Sequence, residues 1–238
     1  MILLGIDDTD TLEDPGTNQL ARHLLRELAD RFRARLVTRH QLLEDPRVPC
    51  TKKNGCAAIE LEPLGSWSRD WLIERIRSLM LAWCPRGSDP GLCIAVGPVP
   101  DEIVGHGRAC QTRLVTQGET RELASRHDIY LEGLGGTEDG VIGALAAVGL
   151  LSSRSDGRVV FLGEGAEDRC EVTGVQQIDE VIARGVEEVR CRRDNRPVRS
   201  GWVDLGKRLR PNYRNGKVVL YVSPSQQASC DWVADRVV

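Results

Sequence analysis

Apolar positions along the chain alternate between two textures. Residues 1–6, 56–62 and 91–99 are short, largely apolar runs of strand length, and residues 35–43 read as a further strand. Between them the period lengthens. From Thr17 onward Leu20, Leu24, Leu28 and Phe32 recur at fours, with Leu25 widening the stripe, which predicts an amphipathic helix with Thr17 as its N-cap. Residues 71–83, 102–117 and 119–127 carry helical patterns as well. Strands interleaved with helices predict a mixed α/β fold of α+β layers. Near residue 133 a loop with four glycines, Glu132 to Gly140, runs into residues 141–148, apolar on all sides and so expected to be a buried helix. Gly163-Glu164-Gly165 reads as a linker. Beyond it come a strand, a helix at 175–183, strands at 186–192 and near Trp202, and a strand at 217–223 entered through an Asn215-Gly216 turn. The expected division is 1–162 as the larger domain and 163–238 as a smaller ferredoxin-like α+β lobe.

The chemistry concentrates where the first strand ends. Ile6 is followed by Asp7-Asp8-Thr9-Asp10-Thr11, three carboxylates in four positions. Such a cluster repels itself unless a cation shares it, and Mg²⁺ takes oxygen ligands and bridges to nucleotide phosphates. Asp8 and Asp10 are the candidate metal ligands on one face of the strand and Asp7, on the other, a group that orients a water or nucleophile. The plain alternative is a solvated acidic turn. Gly133, Gly135, Gly136, Gly140 and Gly143 flank or open the buried helix, where backbone N–H groups and the helix dipole suit a phosphate; small residues there equally serve tight packing. Neither the P-loop nor the dinucleotide fingerprint is matched. Lys52 and Lys53 are candidates for stabilising phosphoryl charge, or are surface lysines beside the Asn54-Gly55 turn. Together these parts predict phosphoryl transfer from a Mg-nucleotide.

Several of these segments resemble, in order, the archaeal tRNA(Ile2) 2-agmatinylcytidine synthetase family. They are GIDDTD with Thr17 seven residues after Asp10, PCTKKNG at 49–55, Asp89-Pro90-Gly91, and GVIGALAAVG at 140–149. The resemblance spans residues 1 to about 150, the kinase-like and adjoining region, and not the oligonucleotide-binding barrel and zinc ribbon that follow in that family. It implies ATP and Mg²⁺ as cofactors, places Thr17 where the family has an autophosphorylated threonine, and aligns Asn54 with the family's Asn-Gly. In that family ATP activates a cytidine carbonyl and the primary amine of agmatine displaces the phosphate. Asp8-Thr9-Asp10 also fits the first motif of haloacid-dehalogenase-type phosphatases. Leu12 stands where those carry Thr or Val, and no later Gly-Asp-x-x-x-Asp follows.

Composition narrows the partners. The formal net charge is -3, with 28% charged and 4% aromatic residues. Residues 184–217 nevertheless hold eleven basic residues against four acidic ones, a face that permits RNA contact, with Trp202 and Tyr213 as stacking candidates. The acceptor expected is a small molecule, an amine among the options, or a short RNA element. A non-catalytic anion-binding module and tRNA cytidine modification itself are the alternatives. The eight cysteines form no C-x-x-C pair, and the four histidines no metal spacing. His106, between Gly105 and Gly107, marks a flexible spot. A six-residue apolar start is too short for a signal peptide core, and a cytoplasmic protein without membrane contact is expected.

Overall fold

A computed structural model describes residues 1–14, 16–48, 50, 53–163 and 167–237. Lys52, with Pro49 and Thr51 of the same segment, and Glu164-Gly165 of the expected linker lie outside them.

The first six elements are β1 (Ile2–Asp7), α1 (Thr17–Leu28), β2 (Phe32–Gln41), β3 (Gly55–Pro63), α2 (Arg69–Trp83) and β4 (Gly91–Val96). They pair antiparallel in the order β4-β1-β3-β2. This is the ferredoxin-like βαββαβ arrangement, and it occupies residues 2–96, not the C-terminal lobe where it was expected. Next come α3 (Asp101–Thr112), α4 (Gln117–Arg126), β5 (Tyr130–Gly133), α5 (Gly140–Ser152) and β6 (Arg158–Leu162). β5 extends the sheet beyond β4, and β6 extends it beyond β2. The remainder is β7 (Val175–Gln177), α6 (Ile178–Ala183), β8 (Glu188–Cys191), β9 (Trp202–Asp204), β10 (Asn212–Arg214), β11 (Lys217–Pro224) and β12 (Trp232–Ala234). β10 pairs with β6, so the described residues share one twelve-stranded sheet that runs through the end of the expected larger domain. Among the described residues of this part there is one helix, the six-residue α6, where a ferredoxin-like lobe has two.

Strand alternation divides the core into two layers. Ile2, Leu4 and Ile6 of β1 bury against Leu20, Leu24 and Leu28 of α1 and Leu72 and Ile76 of α2, while Leu3 joins Ala144, Leu145 and Val148 of α5 on the opposite face. The helix apolar all round is thus the one sunk against the sheet: eleven of its thirteen residues are buried. Local departures from the sequence pattern have local causes. Phe32 begins β2 because α1 ends at Leu28. Residues 175–177 pair with β9 and leave α6 to start at Ile178. Gly105-His106-Gly107 lies inside α3, not in a flexible spot, and His106 is buried. All eight cysteines are free thiols. Among the described residues no helix is long and apolar enough to cross a membrane.

Candidate functional site

Strand β1 delivers Asp7 beneath the first turn of α5. The approach is close enough that a Cβ on Gly143 would sit 1.7 Å from Asp7 Oδ2, so only glycine leaves room for the carboxylate. The strand ends there, and alternation ends with it. Asp8 takes a left-handed backbone (φ 49°), a conformation Asp tolerates better than most residues, and its carbonyl accepts from the Asp89 N–H at 3.0 Å. The expected split of Asp7 from Asp8 and Asp10 does not arise: all three line one cavity. Thr9 is fully buried and its hydroxyl donates to Thr17 Oγ1 at 3.1 Å. Thr17 is the first helical residue of α1; Gly16 is the N-cap and makes no side-chain cap bond, so the N-cap role expected for Thr17 is corrected. Its hydroxyl therefore stands at the positive end of a twelve-residue helix without being spent on capping.

The start of α5 is organised by a residue from elsewhere. The Asp89 carboxylate accepts from the backbone N–H groups of Thr137 (3.0 Å) and Glu138 (2.6 Å), and also from the Thr137 hydroxyl. Two of the loop's N–H groups are thus bonded to a carboxylate. Gly136 (φ +60°) permits this, since a Cβ there would fall 2.6 Å from Asp89 Oδ1. Asp139, at the N-cap position of α5, instead accepts from Gln117 Nε2 at 2.6 Å.

The cavity between these elements measures about 460 Å³, inside the range usual for small-molecule sites. Of the residues singled out from sequence, Asp7, Asp8, Asp10, Thr17, Asn54, Gly140 and Gly143 line it. Gly133, Gly135 and Gly136 belong to the loop before α5 and are not among the lining residues. Asn54 Nδ2 donates to the Leu43 carbonyl at 2.8 Å and its own carbonyl accepts from the Leu42 N–H at 3.0 Å, which closes the loop between β2 and β3 beside the cavity. Asp89 and Asp139 raise the lining carboxylates to five, and Arg47, Lys53 and Arg113 add cations. Leu42, Leu43, Val48, Leu114, Val115 and Ile142 supply apolar surface. Sequence reading missed Asp139 as a lining residue, and noticed Asp89 only within the Asp89-Pro90-Gly91 segment that carries the family resemblance.

Crowded carboxylates hold their protons. Burial, then the charges of Asp8 and Asp10, push Asp7 up to about 7; burial, then Asp89, Asp10 and Asp139, push Asp8 up to about 6. A cation would relieve this. Among the described residues no three His, Cys, Asp or Glu side chains converge on one metal position. Mg²⁺, however, is commonly held by one or two carboxylates together with waters and phosphate oxygens. The donor set therefore fits Mg²⁺ arriving with a phosphate ligand and does not fit a metal caged by protein alone.

No protein-family model matches the chain. It is 28% identical over 189 residues to the tRNA(Ile2) 2-agmatinylcytidine synthetase TiaS of Methanopyrus kandleri, an alignment covering 74% of this chain and 42% of that protein. The chain is TiaS-like. It spans about two fifths of the length of that curated relative. Its fold is likewise that of solved TiaS structures. The TiaS–tRNA(Ile2)–ATP complex superposes with a TM-score of 0.51 at 22% identity, and the TiaS–tRNA(Ile2)–AMPCPP–agmatine complex with 0.53 at 20%. Both cover 62% of this chain, and respectively 36% and 35% of the TiaS chain. A tRNA fluorescent labelling enzyme matches similarly, at a TM-score of 0.52 and 21% identity over 62% of this chain and 35% of its own.

Proposed function

We propose that the chain is an ATP- and Mg²⁺-dependent phosphoryl-transfer unit of ligase type, in which residues 1–162 bind the nucleotide and residues 163–238 contact the acceptor. The observation that carries this reading is the single cavity in which five carboxylates, the Thr17 hydroxyl at a helix start and three cations come together. Asp8 and Asp10 would hold Mg²⁺, which supplies neutralisation of the triphosphate's charge. Asp7, pushed up to about 7 by burial and its acidic neighbours, would become charged as Mg²⁺ offsets that repulsion and would orient the acceptor oxygen. Lys53 would meet phosphate oxygens directly, Arg47 and Arg113 would do so beside their pairs with Asp45 and Glu119, and the leucines and valines near them offer an apolar surface to a base. Thr17 is the hydroxyl best placed to take a phosphoryl group, because the positive end of α1 favours the added charge. The likeness to TiaS supports ATP as the nucleotide, with an amine and an RNA element as the acceptor chemistry.

Thermal-shift titration with ATP, with and without Mg²⁺, tests the proposal. The expected result is stabilisation by ATP that requires Mg²⁺ and is lost in Asp8→Asn and Asp10→Asn, which remove charge at nearly constant shape. After incubation with labelled ATP, the label is expected on Thr17 and absent from Thr17→Ala. ATP that stabilises equally without Mg²⁺ and in both Asn variants would leave a non-catalytic anion-binding module as the better reading.

A further inference from the structure

A second cavity of about 460 Å³ lies on the other side of the α1 start and shares no lining residue with the first. Thr17 lines the acidic cavity; Asn18 and Gln19, the next two residues, line this one. Its walls come from α1 (Arg22, Arg26), the end of α2 (Trp83), β6 (Arg158) and the segment before β10 (Arg208, Arg210). Among the described residues five arginines line it and no carboxylate does.

The charge is only partly balanced from behind. Arg22 and Arg208 both pair with Asp168, Arg22 at 2.8 Å, and Arg22 also reaches Glu171 at 3.2 Å. Both donate to the Val160 carbonyl, at 2.7 and 3.1 Å. These bonds hold the two guanidinium groups in place. They leave the Nε of Arg22 and the Nε of Arg208, both buried, without an acceptor among the described residues. Arg26, Arg158 and Arg210 have no ion pair among the described residues, and burial together with Arg39, Arg210 and Arg236 lowers the Arg158 pKa. Like charges gathered in a half-buried cleft with idle donors cost stability unless an anion joins them. The amide oxygen of Asn18 is also buried without a donor among the described residues, so the cleft offers a buried acceptor beside its donors.

We propose that this arginine cleft is an anion site separate from the acidic cavity, taking a phosphate ester whose neighbouring hydroxyl reaches Asn18, that is, a phosphorylated ribose. The source of that group is a free sugar phosphate or one unit of an RNA strand, and the recognition chemistry is the same: guanidinium donors to the phosphate and an amide acceptor to the hydroxyl.

The proposal is tested on the full chain in EDTA, where the acidic cavity repels a free anion, by titration with ribose 5-phosphate and, separately, with a short single-stranded RNA. At least one probe is expected to bind, with affinity reduced about tenfold or more in Arg158→Gln and in Arg210→Gln and unchanged in Asp8→Asn. Binding of ribose 5-phosphate identifies a free sugar phosphate as sufficient; binding of the RNA alone identifies the strand. Unliganded Arg158→Gln is expected to melt no lower than wild type, because a like-charge contact has been removed; this distinguishes a ligand-binding arginine from a structural one. Failure of both probes at millimolar concentration, wild-type affinity in the two Gln variants, or loss of binding in Asp8→Asn each overturns the proposal. None of these outcomes bears on whether the first cavity binds ATP with Mg²⁺.

Discussion

Asp7 shows how one side chain can make a folded protein respond to pH in the opposite direction from an ordinary carboxylate. Its folded-state pKa is raised from 3.8 to about 7 by burial and by Asp8 and Asp10. Between those values the native state holds a proton that the unfolded chain has released, so this group favours the fold most at low pH, and its contribution is lost as pH rises to about 7. Asp8, raised to about 6, acts in the same direction over a narrower window. Thermal melts without divalent cation at pH 5, 6, 7 and 8 should therefore show wild type losing stability relative to Asp7→Asn as pH rises. A wild-type-minus-variant difference that stays flat or grows with pH contradicts the burial argument. This cluster was legible in the sequence because its members are neighbours in the chain. Asp89 was not legible as a member, because the fold brings it in through the Asp8 carbonyl and the Thr137 and Glu138 amides, and Asp139 reaches the cavity only once α5 is laid against β1 and β4.

Helix α5 reaches the sheet only because glycines stand where its backbone meets β1. A Cβ on Gly5 would lie 2.0 Å from the Ala144 carbonyl oxygen, a backbone atom that cannot swing aside. Gly5→Ala is therefore expected to destabilise the protein by about 1–3 kcal/mol or more, the usual cost of overpacking a filled core. Gly105→Ala provides the contrast. That position is inside α3 with nothing within 4 Å of the added atom, and it should gain up to about 1 kcal/mol from helix propensity. Urea denaturation of the two variants checks both signs, and similar effects at the two sites would remove the close-packing account. Element by element, the sequence was readable where periodicity was strong: α1 from its leucines at fours and α5 from its unbroken apolar surface. It was misleading where one apolar residue served a different element, as Phe32 does in β2. It was silent on β5, a four-residue strand whose pairing to β4 is a long-range matter inside a stretch that ends in glycine. The βαββαβ order could have been read from the alternation of the first hundred residues; only the sheet order β4-β1-β3-β2 distinguishes it from other layered folds, and that order has no local signature.

On the scale of the molecule, the basic stretch at 184–217 is weaker than its composition suggests. Glu188 pairs with both Arg190, at 2.6 Å, and Lys217, at 2.5 Å; Asp194 pairs with Arg196 at 2.8 Å, and Asp168 pairs with Arg208. Tyr213, read from sequence as a stacking platform, is buried, whereas Trp202 is 46% exposed. Arg192, Arg193, Arg199 and Lys207 are the exposed cations of the stretch without an ion pair among the described residues. Each phosphate neutralised on a single strand contributes about -0.7 to the slope of log affinity against log salt, so four such contacts, with a fifth where the arginine cleft takes one unit of the strand, give a slope of about -3.5 at most. Titration of single-stranded RNA at several salt concentrations is expected to show a slope no steeper than this, falling by about half in Arg192→Ala/Arg193→Ala. A slope near -6, halved or not by those substitutions, would mean that the chain grips RNA along an extended track, and the acceptor-contacting role proposed for residues 163–238 would have to widen from a short element to a whole tRNA.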